Sequence, residues 1–104
     1  TTLPVHWSDE ALDEYDSAIA FLRERDARAA ERYVEALGVA IASLARRNTG
    51  RIGRVPGTFE NPAEMAHIIA YQLLPDERGV ETLYIVHIIH TSRDWPKGEW
   101  PRSG

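Results

Sequence analysis

The chain has 104 residues, 43% of them hydrophobic, a net charge of -4 and a pI near 5.5. That length suits one compact domain spanning residues 1–104, and the charge excludes the strongly basic body of a general nucleic-acid binder. There is no cysteine, which excludes disulfides and thiolate metal sites and fits a reducing cytoplasm, and no apolar run approaches the ~20 residues of a membrane span.

Thr1-Thr2-Leu3-Pro4 lacks the basic start and apolar core of a secretory signal. Leu3 to Trp7 reads as a short edge strand, because Pro4 cannot donate to a ladder. Ser8 stands where a helix N-cap belongs, with Asp9 and Glu10 in the first turn, where the helix dipole favours acid. A first helix is expected from Asp9 to Arg25, with Leu12, Tyr15, Ile19 and Leu22 as its apolar stripe. Asp9, Glu10, Asp13, Glu14 and Asp16 lie mostly off that stripe and read as a solvated face. Asp26 can cap a second helix from Ala27 to Arg46, with Ala30, Tyr33 or Val34, Leu37, Ile41 and Leu44 inward. With almost no loop between them, the helices should form an antiparallel hairpin. Gly38, at a cost of about 1 kcal/mol relative to Ala, is expected where the two helices approach closely.

Asn48-Thr49-Gly50 ends the second helix, and Arg51-Ile-Gly-Arg-Val-Pro-Gly-Thr58 follows as a loop or short strand. Residues 9–35 carry a net charge of -5 and residues 59–104 a net of -3, whereas 46–58 hold Arg46, Arg47, Arg51 and Arg54 and no acid. Arg46 and Arg47 complement the dipole at the helix C-terminus. Arg51 and Arg54 are left for an acidic partner or a phosphate backbone. Met65 to Leu74 reads as a strand, Pro75 to Gly79 as a turn, and Val80 to His90 as the returning, largely buried strand. The expected class is α+β: an N-terminal edge strand and a two-helix hairpin packed on a small, mainly antiparallel sheet. The last strand ends in Thr91-Ser-Arg-Asp-Trp-Pro96 and so delivers His90, Arg93 and Trp95 to one edge.

His6, His67, His87 and His90 are the acid–base or metal candidates. The odd separation of His87 and His90 sends them to opposite faces of a strand, and pairing Leu74 with Val80 would set His67 opposite His87. No further ligands stand at obvious spacing, so no metal is expected. No P-loop, dinucleotide fingerprint, G-x-S-x-G or H-E-x-x-H occurs, and no cofactor is implied. Tyr71, His90 and Arg93 form a conceivable RNA-cleaving set, though core roles are the ordinary reading of Tyr71 and His90.

Three motifs carry a family likeness. They are Val5-His-Trp-Ser-Asp-Glu-Ala-Leu-Asp-Glu14, Gly50-Arg-Ile-Gly-Arg-Val-Pro-Gly-Thr58 and Ile88-Ile-His-Thr-Ser-Arg-Asp-Trp-Pro96. Over about residues 3–97 the chain resembles the RelE/ParE superfamily of toxins from bacterial type II toxin–antitoxin modules, and its ParE-like branch in particular. Tyr71 matches the tyrosine of the family's I-V-Y-x-V strand. The chain departs from the pattern at Phe59, where the family often has Arg, at His87 and Ile88, and in the longer, more acidic stretch Glu60 to Met65.

The resemblance implies a cytoplasmic toxin that binds DNA gyrase, stops replication and growth, and is neutralised by a cognate antitoxin, as in plasmid stabilization. Its target-binding edge would carry Arg51, Arg54, His90, Arg93 and Trp95, acting by binding and not by catalysis. The alternative is a RelE-like, ribosome-dependent mRNA endonuclease with His67, Tyr71, His90 and Arg93 as catalytic candidates. The missing arginines and the acidic pI speak against that alternative. A decayed homologue that still binds antitoxin is the third reading.

Overall fold

The computed structural model describes residues 2–62, 67–90 and 98–100. Seven elements follow in order: β1 (Val5–Trp7), α1 (Asp9–Arg25), α2 (Ala27–Arg46), β2 (Arg51–Ile52), β3 (Phe59–Pro62), β4 (His67–Pro75) and β5 (Glu81–His90). The strands form one sheet in the order β1-β5-β4-β3-β2. Only β1 and β5 pair in parallel, so the sheet is mainly antiparallel, with the helical hairpin on one face. The α+β architecture and both helix spans are those expected.

Two short polar side chains set the helix boundaries. Ser8 accepts a hydrogen bond from the Ala11 amide at 3.0 Å. Asp26 closes α1 by donating its backbone N–H to the Leu22 carbonyl at 2.7 Å, and opens α2 by accepting from the Arg28 amide at 3.0 Å. One residue thus serves as C-cap and N-cap, which forces the abrupt reversal. Tyr33, Leu37, Ile41 and Leu44 of α2 pack against Ile69, Tyr71, Leu83, Ile85 and Ile88 of the sheet. Each buried leucine or isoleucine contributes on the order of 1.5–3 kcal/mol.

Several expectations are corrected. On α1 the inward stripe starts at Ala11, fully buried, while Leu12 is 42% exposed, because i, i+4, i+7 and i+11 spacing lines Ala11 up with Tyr15, Ala18 and Leu22. A Cβ at Gly38 would meet nothing within 4 Å, so this glycine serves no close helix approach. The segment 51–58, read as a loop or short strand, holds the short strand β2, and a further, unexpected strand, β3, follows it and closes a hairpin. The β4–β5 register differs as well: Leu74 lies opposite Thr82, not Val80. A bulge between Tyr71↔Ile85 and Ala70↔His87 then shifts the pairing by one, so His67 faces His90 and His87 faces Ala70.

The β5 edge explains another correction. β1 ends at Trp7, opposite Ile85, and leaves the polar backbone of β5 open beyond it. Helix α1 covers that edge. Ser8 Oγ donates to the Val86 carbonyl at 2.7 Å, and Glu14 Oε1 accepts from the Ile88 amide at 3.0 Å. Glu14 is therefore no member of a solvated face, and leaving the Ile88 amide unpaired would cost about 1–3 kcal/mol.

Candidate functional site: an arginine hairpin

The arginine segment is built as a pinned projection. β2 and β3 pair Arg51 with Glu60 and Ile52 with Phe59, and β3 pairs in turn with β4. Between the two strands, the Gly53 amide donates to the Thr58 carbonyl at 2.9 Å, and Thr58 Oγ1 donates to the Val55 carbonyl at 2.7 Å. The turn needs Gly57 at φ 82°, where a side chain would be strained. A Cβ on Gly53 would stand 2.6 Å from Thr58 Oγ1. These contacts leave the hairpin little freedom.

Its root is tied to the core through Tyr71. The Tyr71 hydroxyl donates to Asn48 Oδ1 and accepts from the Gly50 amide at 3.0 Å. Its ring stacks on Phe59 with centroids 5.5 Å apart. Burial pushes the phenol pKa up, opposed in part by the Gly50 N–H. Tyr71 is thus a protonated clamp with donor and acceptor both engaged. A side chain at Gly50 would collide with the Tyr71 hydroxyl and the Glu60 carbonyl, which explains the glycine before Arg51.

Glu60 holds the other side. It is 1% exposed, yet it sits at the base of a segment rich in arginine. Its Oε2 accepts from the Arg54 amide at 2.7 Å, and its Oε1 lies 3.5 Å from Arg51 Nη2. The Arg51 side chain remains 58% exposed, and Ile52 beside it is 85% exposed. On the sheet, Arg51, Glu60, Ala70 and His87 form one row across β2, β3, β4 and β5. Gly98 donates its amide to the Arg54 carbonyl at 3.0 Å, and the Trp100 ring packs on His87 at 4.6 Å, so residues 98–100 touch the hairpin turn and the His87 end of that row. His87 Nδ1 also lies 3.1 Å from Glu14 Oε1, which links the row to α1.

The histidine candidates gather elsewhere. His67 and His90 meet edge to face at 5.1 Å, and His67 meets Tyr33 in the same way at 5.2 Å. This corner lies three residue rows from the Arg51 row, about 10 Å along the strands. The structure thus brings Arg51 and Arg54 together and joins His67 with His90, while Tyr71 belongs to the core. Arg93 and Trp95 lie outside the described residues. Among the described residues no group of three or more His, Cys, Asp or Glu could hold a metal ion, and no helix is long and apolar enough to cross a membrane.

Residues 5–95 match the model of a family described as the ParE toxin of the type II toxin–antitoxin system, parDE. The chain belongs to the ParE toxin family. Two solved structures share the fold of this ParE-family chain at 16% identity each. A chromosomal ParDE toxin–antitoxin system from P. aeruginosa superposes with a TM-score of 0.71, covering 88% of this chain and 98% of that one. A YoeB/ParE toxin from Agrobacterium tumefaciens gives 0.56, covering 85% and 98%. No curated protein matches the chain.

Glu14, Glu60 and Asn48 are the residues of this ParE-family site that motif reasoning passes over. A signal existed for two of them. Glu14 falls at i+3 from Ala11 and i-4 from Ala18, an acid on the inward stripe. Glu60 is the first acid after four arginines and directly follows the apolar Phe59. Asn48 carried none, since asparagine after a helix usually marks a turn.

Proposed function

We propose that this chain is a toxin that binds DNA gyrase, halts replication and is silenced by a cognate antitoxin encoded with it. Membership of the ParE toxin family supports the toxin role. The observation that carries the binding mode is the arginine hairpin, a cationic projection held by Glu60, Tyr71 and Thr58 in a chain whose net charge is -4. Pre-ordered arginines lose less entropy on docking, and arginine is a common interface anchor. The proposed target-binding residues are Arg51, Arg54, His90, Arg93 and Trp95. Tyr71 and Glu60, the side chains that hydrogen-bond the hairpin, are buried and engaged, which supports binding over catalysis.

Pulse labelling of DNA and protein synthesis in cells expressing the chain without antitoxin tests this reading. DNA synthesis should fall first. The double variant Arg51→Ala/Arg54→Ala should lose growth arrest and stay folded, with a lowered melting temperature because the buried Glu60 carboxylate loses its Arg51 partner. Arrest by the double variant at wild-type dose would remove the hairpin from the site.

The His67–His90 pair supports a second reading, cleavage of mRNA on the ribosome, with His67, Tyr71, His90 and Arg93 as the catalytic candidates. Protein synthesis would then fall before DNA synthesis, and His90→Ala, not the arginine double variant, would end the arrest.

A further inference from the structure

We infer that Glu60 is the positioning residue of the arginine hairpin, presenting Arg51 and Arg54 through the acceptor oxygens of its buried side chain. The inference rests on the reading of that hairpin as target-binding. A buried carboxylate is costly unless its oxygens are satisfied. Glu60 meets that condition with groups from the arginine segment itself. Oε2 takes the Arg54 amide at 2.7 Å, and Oε1 faces the Arg51 guanidinium at 3.5 Å. The first bond sets the backbone from which the Arg54 side chain leaves. The second draws Arg51 toward the partner position it already occupies in the β2–β3 ladder.

The geometry around Glu60 favours this role over plain filling of the sheet. Its neighbour across β4 is Ala70, fully buried and too small to compete for the carboxylate. The Glu60 carbonyl lies where a side chain on Gly50 would stand, so residue 60 touches both the start of the hairpin and, through Arg54, its turn. Arg54 is held on its other side by the Gly98 amide. The peptide groups of this residue are thus clamped at both ends, and Glu60 supplies the clamp that is a side chain.

Two substitutions separate the acceptor from mere occupancy. Glu60→Gln keeps an oxygen for the Arg54 amide, and Glu60→Ala does not. Hydrogen exchange of backbone amides in the isotopically labelled full chain is measured by NMR, alongside the dose needed for growth arrest. In Glu60→Ala the Arg54 amide should exchange at least tenfold faster while the β4 and β5 amides keep their protection, and the arresting dose should rise at least tenfold. Glu60→Gln should stay within threefold of wild type on both. Where the alanine variant loses its sheet, Glu60→Leu, which fills the space without an acceptor, takes its place with the same expectation. Unchanged Arg54 exchange in Glu60→Ala or Glu60→Leu overturns the inference, and so does a Gln variant as fast as these. Faster exchange with undiminished arrest supports the positioning role and overturns the hairpin as the target-binding element, so the two failures are distinguishable.

Discussion

The arginine hairpin and the histidine corner both gather chemistry-bearing side chains, but they are built in opposite ways. The hairpin is held by directed hydrogen bonds from Tyr71, Glu60 and Thr58, and it turns Arg51 and Arg54 outward. At the corner, Tyr33, His67 and His90 meet edge to face, and the Tyr33 hydroxyl is buried with no hydrogen-bond partner among the described residues. The two tyrosines make the contrast sharp. Both are fully buried, yet one hydroxyl joins two segments and the other joins none among the described residues. A buried polar group contributes specificity where it is satisfied and costs stability where it is not.

The contrast can be broken by mutation, and the largest effect is expected at the clamp. Tyr71→Ala should cost about 3–5 kcal/mol in denaturant unfolding, because a fully buried ring and its contacts are lost together. Tyr71→Phe should cost about 1–3 kcal/mol, since the Gly50 amide and Asn48 side chain each lose a partner. Tyr33→Phe should change stability by less than about 0.5 kcal/mol, or raise it, because no bond among the described residues is lost. Equal losses in the two phenylalanine variants would erase the distinction between hairpin and corner.

A smaller effect, confined to alkaline solution, sharpens the same comparison. Burial raises the pKa of Tyr33 and of Tyr71 above the ordinary 10.0. The folded state therefore keeps protons that the unfolded chain releases from about pH 10 upward. By linkage, the stability held below that pH is lost as pH rises toward the folded-state values. Tyr33 is the more strongly shifted, so Tyr33→Phe should flatten the decline of unfolding free energy above pH 10 more than Tyr71→Phe does. A decline unaltered by Tyr33→Phe would assign it to other groups.

Much of this was legible in the sequence because it rests on local rules. Ser8 and Asp26 cap helices through their own neighbours, and apolar periodicity separates α1 and α2 from the strands. The arginine run stands out by charge alone. The register of β4 on β5 was not legible, because one bulged residue moves every later partner and no turn residue announces it. The two-residue offset at the turn and the one-residue bulge together replaced a His67–His87 pair by a His67–His90 pair and left His87 to meet Glu14 and Trp100.

By itself, then, the sequence determined the α+β order of elements, the helix boundaries, the family and the place of the arginines in the chain. Caps, stripes and charge runs are decided within a few residues, so they survive reading in one dimension. Only the tertiary structure decided that Glu60 is buried beneath Arg51 and Arg54, that Tyr71 clamps Gly50, and that Glu14 closes the edge of β5. Those contacts join segments 6, 21 and 74 residues apart, or neighbours brought face to face by a hairpin. They depend on which backbone groups the fold leaves unpaired, and that is set only when the whole sheet is in place.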